Sequence, residues 1–131
     1  MKKNNCIVIV IANQDQHDEC FDQLFLQGIQ RENIITPLST TQVIRSSDVM
    51  DEIDDHADSA NRIIVLYDTP TNGILPSAHA YAFFNDSGYA HAHKKVTFAA
   101  RNAPHHKLTA HHNGARHVVN VKSYAQLKEL I

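Results

Sequence analysis

Glycine is scarce in this 131-residue sequence. The four glycines, Gly28, Gly73, Gly88 and Gly114, never cluster. A Walker loop and a dinucleotide fingerprint both need several glycines within one turn, so neither is present. Cysteine is equally sparse. Cys6 and Cys20 are too few for a disulfide framework. One falls in an apolar strand and the other on a helix face, so both read as buried free thiols, which fits a reducing cytoplasm. No apolar run approaches the roughly 20 residues of a membrane span. Neither sign of charge dominates: the net charge is −2 with histidine neutral, which exerts no general pull toward nucleic acid. No Gly-x-Ser-x-Gly occurs to position a serine nucleophile. Internal repeats, low-complexity tracts and linkers are missing too. What remains is 43% hydrophobic and 20% charged, which suits one domain spanning residues 1–131 around one core.

The most informative stretch is Arg62 to Gly73, RIIVLYDTPTNG. Five apolar residues, Ile63 to Tyr67, precede an acid, Asp68, and a proline-containing turn. A short apolar run closed by turn residues reads as a strand buried on both faces. Such strands belong to helix-covered parallel sheets, where ligands collect at the carboxyl ends of the strands. Asp68 stands at that end and is the first candidate for a functional residue. Its alternative role is to cap the turn Thr69 to Gly73 through backbone N–H groups.

Elsewhere the pattern alternates. Cys6 to Ala12 reads as the first strand rather than a secretion signal, being short, rich in β-branched residues and followed by no small-residue cleavage site. A helix follows, with Cys20, Phe21, Leu24, Phe25 and Ile29 on one face and Gly28 near its end. Asn33 to Thr36 is the second strand. Ser46 or Ser47 caps a second helix with an acidic first turn. Its buried stripe is Val49, Ile53, Ala57 and Ala60, and the acidic run Asp48 to Asp58 is its solvated face. Pro76 to His93 is an alanine-rich, aromatic helical segment with Ser87 and Gly88 in its middle. Lys95 to Ala99 is the fourth strand. Lys107 to His112 is a short helix ended by Gly114. His117 to Val121 is the fifth strand. Ser123 and Gln126 form a capping box for a last helix packed down by Leu127, Leu130 and Ile131. Five strands alternating with about five helices predict a flavodoxin-like three-layer α/β sandwich with a five-stranded parallel sheet.

The ten histidines include the neighbours His91 and His93, His105 and His106, and His111 and His112, with His117 close by. None of these pairs has the i, i+4 spacing that puts two rings on one helical face. They read as exposed or loop histidines, able to make a pH-dependent contact, and not as a metal site.

Two resemblances bear on function. Lys95 to Ile131 reads KVTFAARN, LTAHHNGARHVVNV and SYAQLKELI. This resembles the carboxyl-terminal half of response-regulator receiver domains, with Ala110, Gly114 and Ala115 matching the Ala-x-x-x-Gly-Ala element. Asp68 matches the position of the receiver phospho-acceptor. Phosphoryl transfer to aspartate needs Mg²⁺ beside it. The acid pair that receivers place after strand one is replaced by Ala12, Asn13, Gln14 and Asp15, leaving only Asp15. Ala99 and Ala100 stand where receivers carry Ser or Thr, and Asn120 and Val121 where they carry Lys, with Lys122 one step on. The resemblance therefore implies a degenerate receiver, or pseudo-receiver.

SGYAHAHKKV, with Gly88, Tyr89, Ala90, Lys94 or Lys95, and Val96, is similar to the nucleoside 2-deoxyribosyltransferase group and more loosely to TIR-type NAD hydrolases. That group's glutamate nucleophile would correspond to Asp86, a carboxylate shorter by one methylene.

The expectation is thus a cytoplasmic signalling module, with the question of enzymatic activity left open. It acts by contact with a protein partner or as a homodimer, with no membrane and no nucleic acid. Asp68, Asp15 and Lys122 would form a ligand or phosphoryl site. No cofactor is expected, except Mg²⁺ if the acidic site is functional. The alternatives are a glycosidic-bond enzyme using Asp86 and Asp68, and a small-ligand-binding domain.

Overall fold

The computed structural model describes residues 5–12, 17–36, 46–68, 95–101 and 118–130. The segments expected to hold the aromatic helix after Asp68, the Lys107 to His112 helix and the Gly114-Ala115 element lie outside them, as do Asp15, Asp86 and Ile131. The strands are β1 (Cys6–Ile11), β2 (Ile34–Ile35), β3 (Arg62–Asp68), β4 (Val96–Arg101) and β5 (Val118–Val121). They form one sheet in the order β2-β1-β3-β4-β5, and every pairing is parallel. This is the flavodoxin-like order. Among the described residues, no helix is long and apolar enough to cross a membrane.

The interior strands are buried on both faces, which is why their sequences run apolar without alternating. The pleat still sorts their side chains. Ile7, Ile9, Ile11, Ile63, Val65 and Tyr67 point to one face, with Val49 and Ile53 of helix α2 (Ser46–His56). Cys6, Val8, Val10, Ile64 and Leu66 point to the other, with Cys20 and Leu24 of helix α1 (His17–Leu26) and Leu127 of the C-terminal turn. Alternation continues past the apolar run, so Asp68 and Arg101 fall on the α1 face.

Helix α1 ends in a Schellman motif. The Ile29 N–H bonds Leu24 O at 3.1 Å and the Gly28 N–H bonds Phe25 O at 2.9 Å. Gly28 sits at φ +95°, where a side chain is disfavoured. Ile29 then folds back into the core beside Leu24. Helix α2 ends against Lys95, whose ammonium donates to the carbonyls of Ala57 and Ala60. At the opposite end of the sheet from Asp68, Asn5 ties the strand starts together. Its carbonyl accepts from Asn61 N–H and its amide donates to Ser59 O at 2.7 Å.

Four expectations need correction. Strand β4 runs two residues beyond Ala99, because its pairing with β3 continues through Tyr67–Ala100 to Asp68–Arg101. Strand β2 has only two residues, since its ladder with β1 is confined to Ile34 and Ile35. Phe25 is 61% exposed: Cys20 and Leu24 set the buried line of α1, and Phe25 lies a further 100° round the helix. The last helix is a 3₁₀ turn over Tyr124–Glu129, and Ser123 makes no side-chain cap. Instead, Gln126 accepts from the Lys122 N–H.

Candidate functional site

The strand order reverses between β1 and β3, and their carboxyl ends are where this architecture leaves a crevice. Asp68 lies there with 0% of its surface exposed. Such a carboxylate is expensive to bury without partners, and it has three among the described residues. Arg101 Nε donates to Oδ1 at 2.7 Å. The Cys20 thiol donates to Oδ2 at 2.7 Å, and the Tyr124 hydroxyl donates to the same oxygen. The phenol oxygen is also 3.3 Å from Cys20 Sγ. The Arg101 guanidinium lies over the Tyr124 ring, 4.4 Å from its centroid, in cation–π contact.

Each partner comes from a different element. Cys20 is on the buried line of α1, Arg101 ends β4 in register with Asp68, and Tyr124 opens the C-terminal turn. Tyr124 is held down beside Leu127, which is 1% exposed. The cluster therefore ties three elements to the end of the central strand.

Its electrostatics favour proton retention. Burial, reinforced by the Asp68 charge, pushes the Cys20 thiol up to about 12. Burial and the hydrogen bond to Asp68 raise the Tyr124 phenol far above its ordinary range. Burial works against the Arg101 charge, but Asp68 and then Tyr124 more than offset it, so the guanidinium is held above its usual value. At neutral pH the thiol and phenol are donors and the guanidinium is a fixed cation. Neither Cys20 nor Tyr124 is poised as a nucleophile, which requires a lowered pKa.

Of the expected site residues, Asp68 occupies the predicted strand end. Lys122 is exposed just after β5, and among the described residues no hydrogen bond or ion pair joins it to Asp68. Ala12, Ala99 and Ala100 are buried apolar residues at the strand ends. Both cysteines are buried and free. Among the described residues, no three His, Cys, Asp or Glu side chains gather as metal ligands.

The residues that sequence reasoning missed are Arg101 and Tyr124, together with the bond from Cys20 to Asp68. Arg101 had a readable signal. It follows Phe98-Ala99-Ala100 as far past Val96 as Asp68 lies past Ile63, and the parallel pairing of Ile63 with Val96 therefore brings the two charges side by side. Compared with known proteins, the chain matches no family model, no curated protein and no solved structure.

Proposed function

We propose that this chain is a regulatory module that works by binding, resembling a receiver domain that has lost its phosphoryl chemistry. The observation that carries this reading is the state of Asp68. A phosphoryl acceptor needs an accessible oxygen and a metal ion to neutralise the incoming charge. Here the carboxylate is fully buried, Oδ1 is engaged by Arg101, and Oδ2 by Cys20 and Tyr124. A protein-borne cation already balances its charge. The chemistry of the cluster also supports a non-enzymatic role, because its protons are held too tightly to exchange with a substrate near neutral pH. The module acts on a protein partner, either a separate chain or a second copy of this one, in the cytoplasm.

The test is a thermal melt with Mg²⁺ and beryllofluoride, a mimic of the phosphoryl group, on the wild type and Asp68→Asn. The expected result is no shift of the wild-type midpoint. A rise that needs both additives and Asp68 would overturn the reading.

A further inference from the structure

A cleft of about 360 Å³ lies between α1 and the C-terminal turn. One wall is formed by Glu19 and Gln23 of α1 and Gln27 of the turn that ends it, each four residues from the next. The other carries Lys122 and Tyr124, and nine-tenths-buried Arg101 also lines the cleft. The Arg101 charge is matched by Asp68, so among the described lining residues the remaining charges are the Glu19 carboxylate from α1 and the Lys122 ammonium from the segment after β5. Among the described residues, no hydrogen bond or ion pair engages either side chain, and they do not pair with each other. Two primary amides stand on the same wall as Glu19.

We propose that this cleft binds a small zwitterion of the α-amino-acid class with an uncharged side group. Its carboxylate sits at Lys122, its ammonium at Glu19, and its side group against the amides of Gln23 and Gln27. The volume is at the small end of ligand sites, which fits one such molecule. A dianion would meet the Glu19 carboxylate, and a simple cation would meet Lys122 beside the Arg101 guanidinium. A zwitterion satisfies both walls at once. The site does not depend on the regulatory reading, since it holds whether or not Asp68 accepts a phosphoryl group.

The test is an amide-resolved NMR titration of the full chain with L-alanine and L-glutamine, with propionate and propylamine as probes carrying one charge each. Saturable shifts are expected at residues of α1 and of 122–125 with at least one amino acid at up to about 10 mM, a range that saturates a millimolar site. Glu19→Gln and Lys122→Gln should each weaken that binding roughly tenfold or more, as loss of a charged hydrogen bond does. Both residues are exposed, and unchanged spectra elsewhere will verify that the variants fold. Absence of saturable shifts with both amino acids, or binding that neither substitution weakens, would overturn the proposal. So would propionate or propylamine binding as tightly as the amino acid. Beryllofluoride melts report on Asp68 alone, so the two readings fail separately.

Discussion

Among the described residues, the face of the sheet beneath α2 is lined by apolar side chains and the Tyr67 phenol, whereas the face beneath α1 buries a carboxylate, a guanidinium, a thiol and a phenol at one end. Both faces use the same strands, so the difference is not one of propensity. On the α2 side, Val49 and Ile53 join a packed layer whose stability grows with the area removed from water, about 25 cal/mol per Å². On the α1 side, every charge desolvated must be recovered through a specific partner. Hydrophobic residues of similar volume often do as well or better than a buried ion pair. The Asp68 cluster is therefore poorly explained by stability alone. It fixes which side chains meet at the switch point of the sheet.

The sharpest way to break the contrast is to remove one member of the ion pair. Asp68→Ala leaves Arg101 buried without its carboxylate and should destabilise by about 3–5 kcal/mol in urea denaturation. Adding Arg101→Met should recover a large part of that loss. If the single and double variants are equally unstable, the pair is not the origin of the penalty.

On the other face, Ile53→Ala should cost about 3 kcal/mol through transfer and cavity terms. No second substitution of a charged residue should relieve it. The two faces are thus expected to differ in what rescues them, more than in how much they lose.

Alkaline titration sharpens the comparison further. The Cys20 thiol is raised to about 12 in the folded state, so the folded protein keeps a proton that the unfolded chain releases from about pH 9. The cluster's contribution is complete below that pH and is lost as pH rises toward 12, by at most about 1.4 kcal/mol per pH unit for each such group. Cys6, raised to about 11, and Tyr67, raised to about 12, add to the wild-type slope. Cys20→Ala should make the decline shallower by one group's worth in denaturation at stepped pH. An unchanged slope would mean that Cys20 keeps an ordinary pKa.

The smallest effect is expected at the end of α2. Lys95→Met removes the donor to Ala57 O and Ala60 O and should cost about 1 kcal/mol. Faster amide exchange should be confined to the last turn of that helix.

Much of this architecture was legible because parallel strands buried on both faces declare themselves as unbroken apolar runs. Arg62 to Asp68 and Cys6 to Ile11 needed no more than that. Gly28 announced the end of α1 because a Schellman turn requires a residue at positive φ. The site was half legible. Asp68 follows from its place at a strand end, but its partners are set by register and by docking of the C-terminal turn, which act between segments far apart in sequence. Arg101 looked like a residue beyond β4 because the apolar pattern stops at Ala100. Phe25 misled because helical spacing admits a wider apolar stripe than the sheet covers. The capping box misled because Ser123 and Gln126 have the right spacing, but the turn is 3₁₀ and Gln126 reaches one residue further back.

The two-residue strand β2 has a consequence for how the chain reaches this state. CIVIVI and IIVLY are the kind of short, uncharged, β-branched segments that stack readily between molecules. In the finished sheet both are interior, and the edges are left to two-residue β2 and four-residue β5, which offer little backbone for another chain to extend. That protection exists only once β1 has found β3, a pairing of Cys6 with Arg62 that must wait for α1, β2 and α2 to be bridged. Parallel contacts of such separation form slowly. Refolding yield should accordingly fall as protein concentration rises, while the native protein at the same concentration stays monodisperse or at its own fixed stoichiometry.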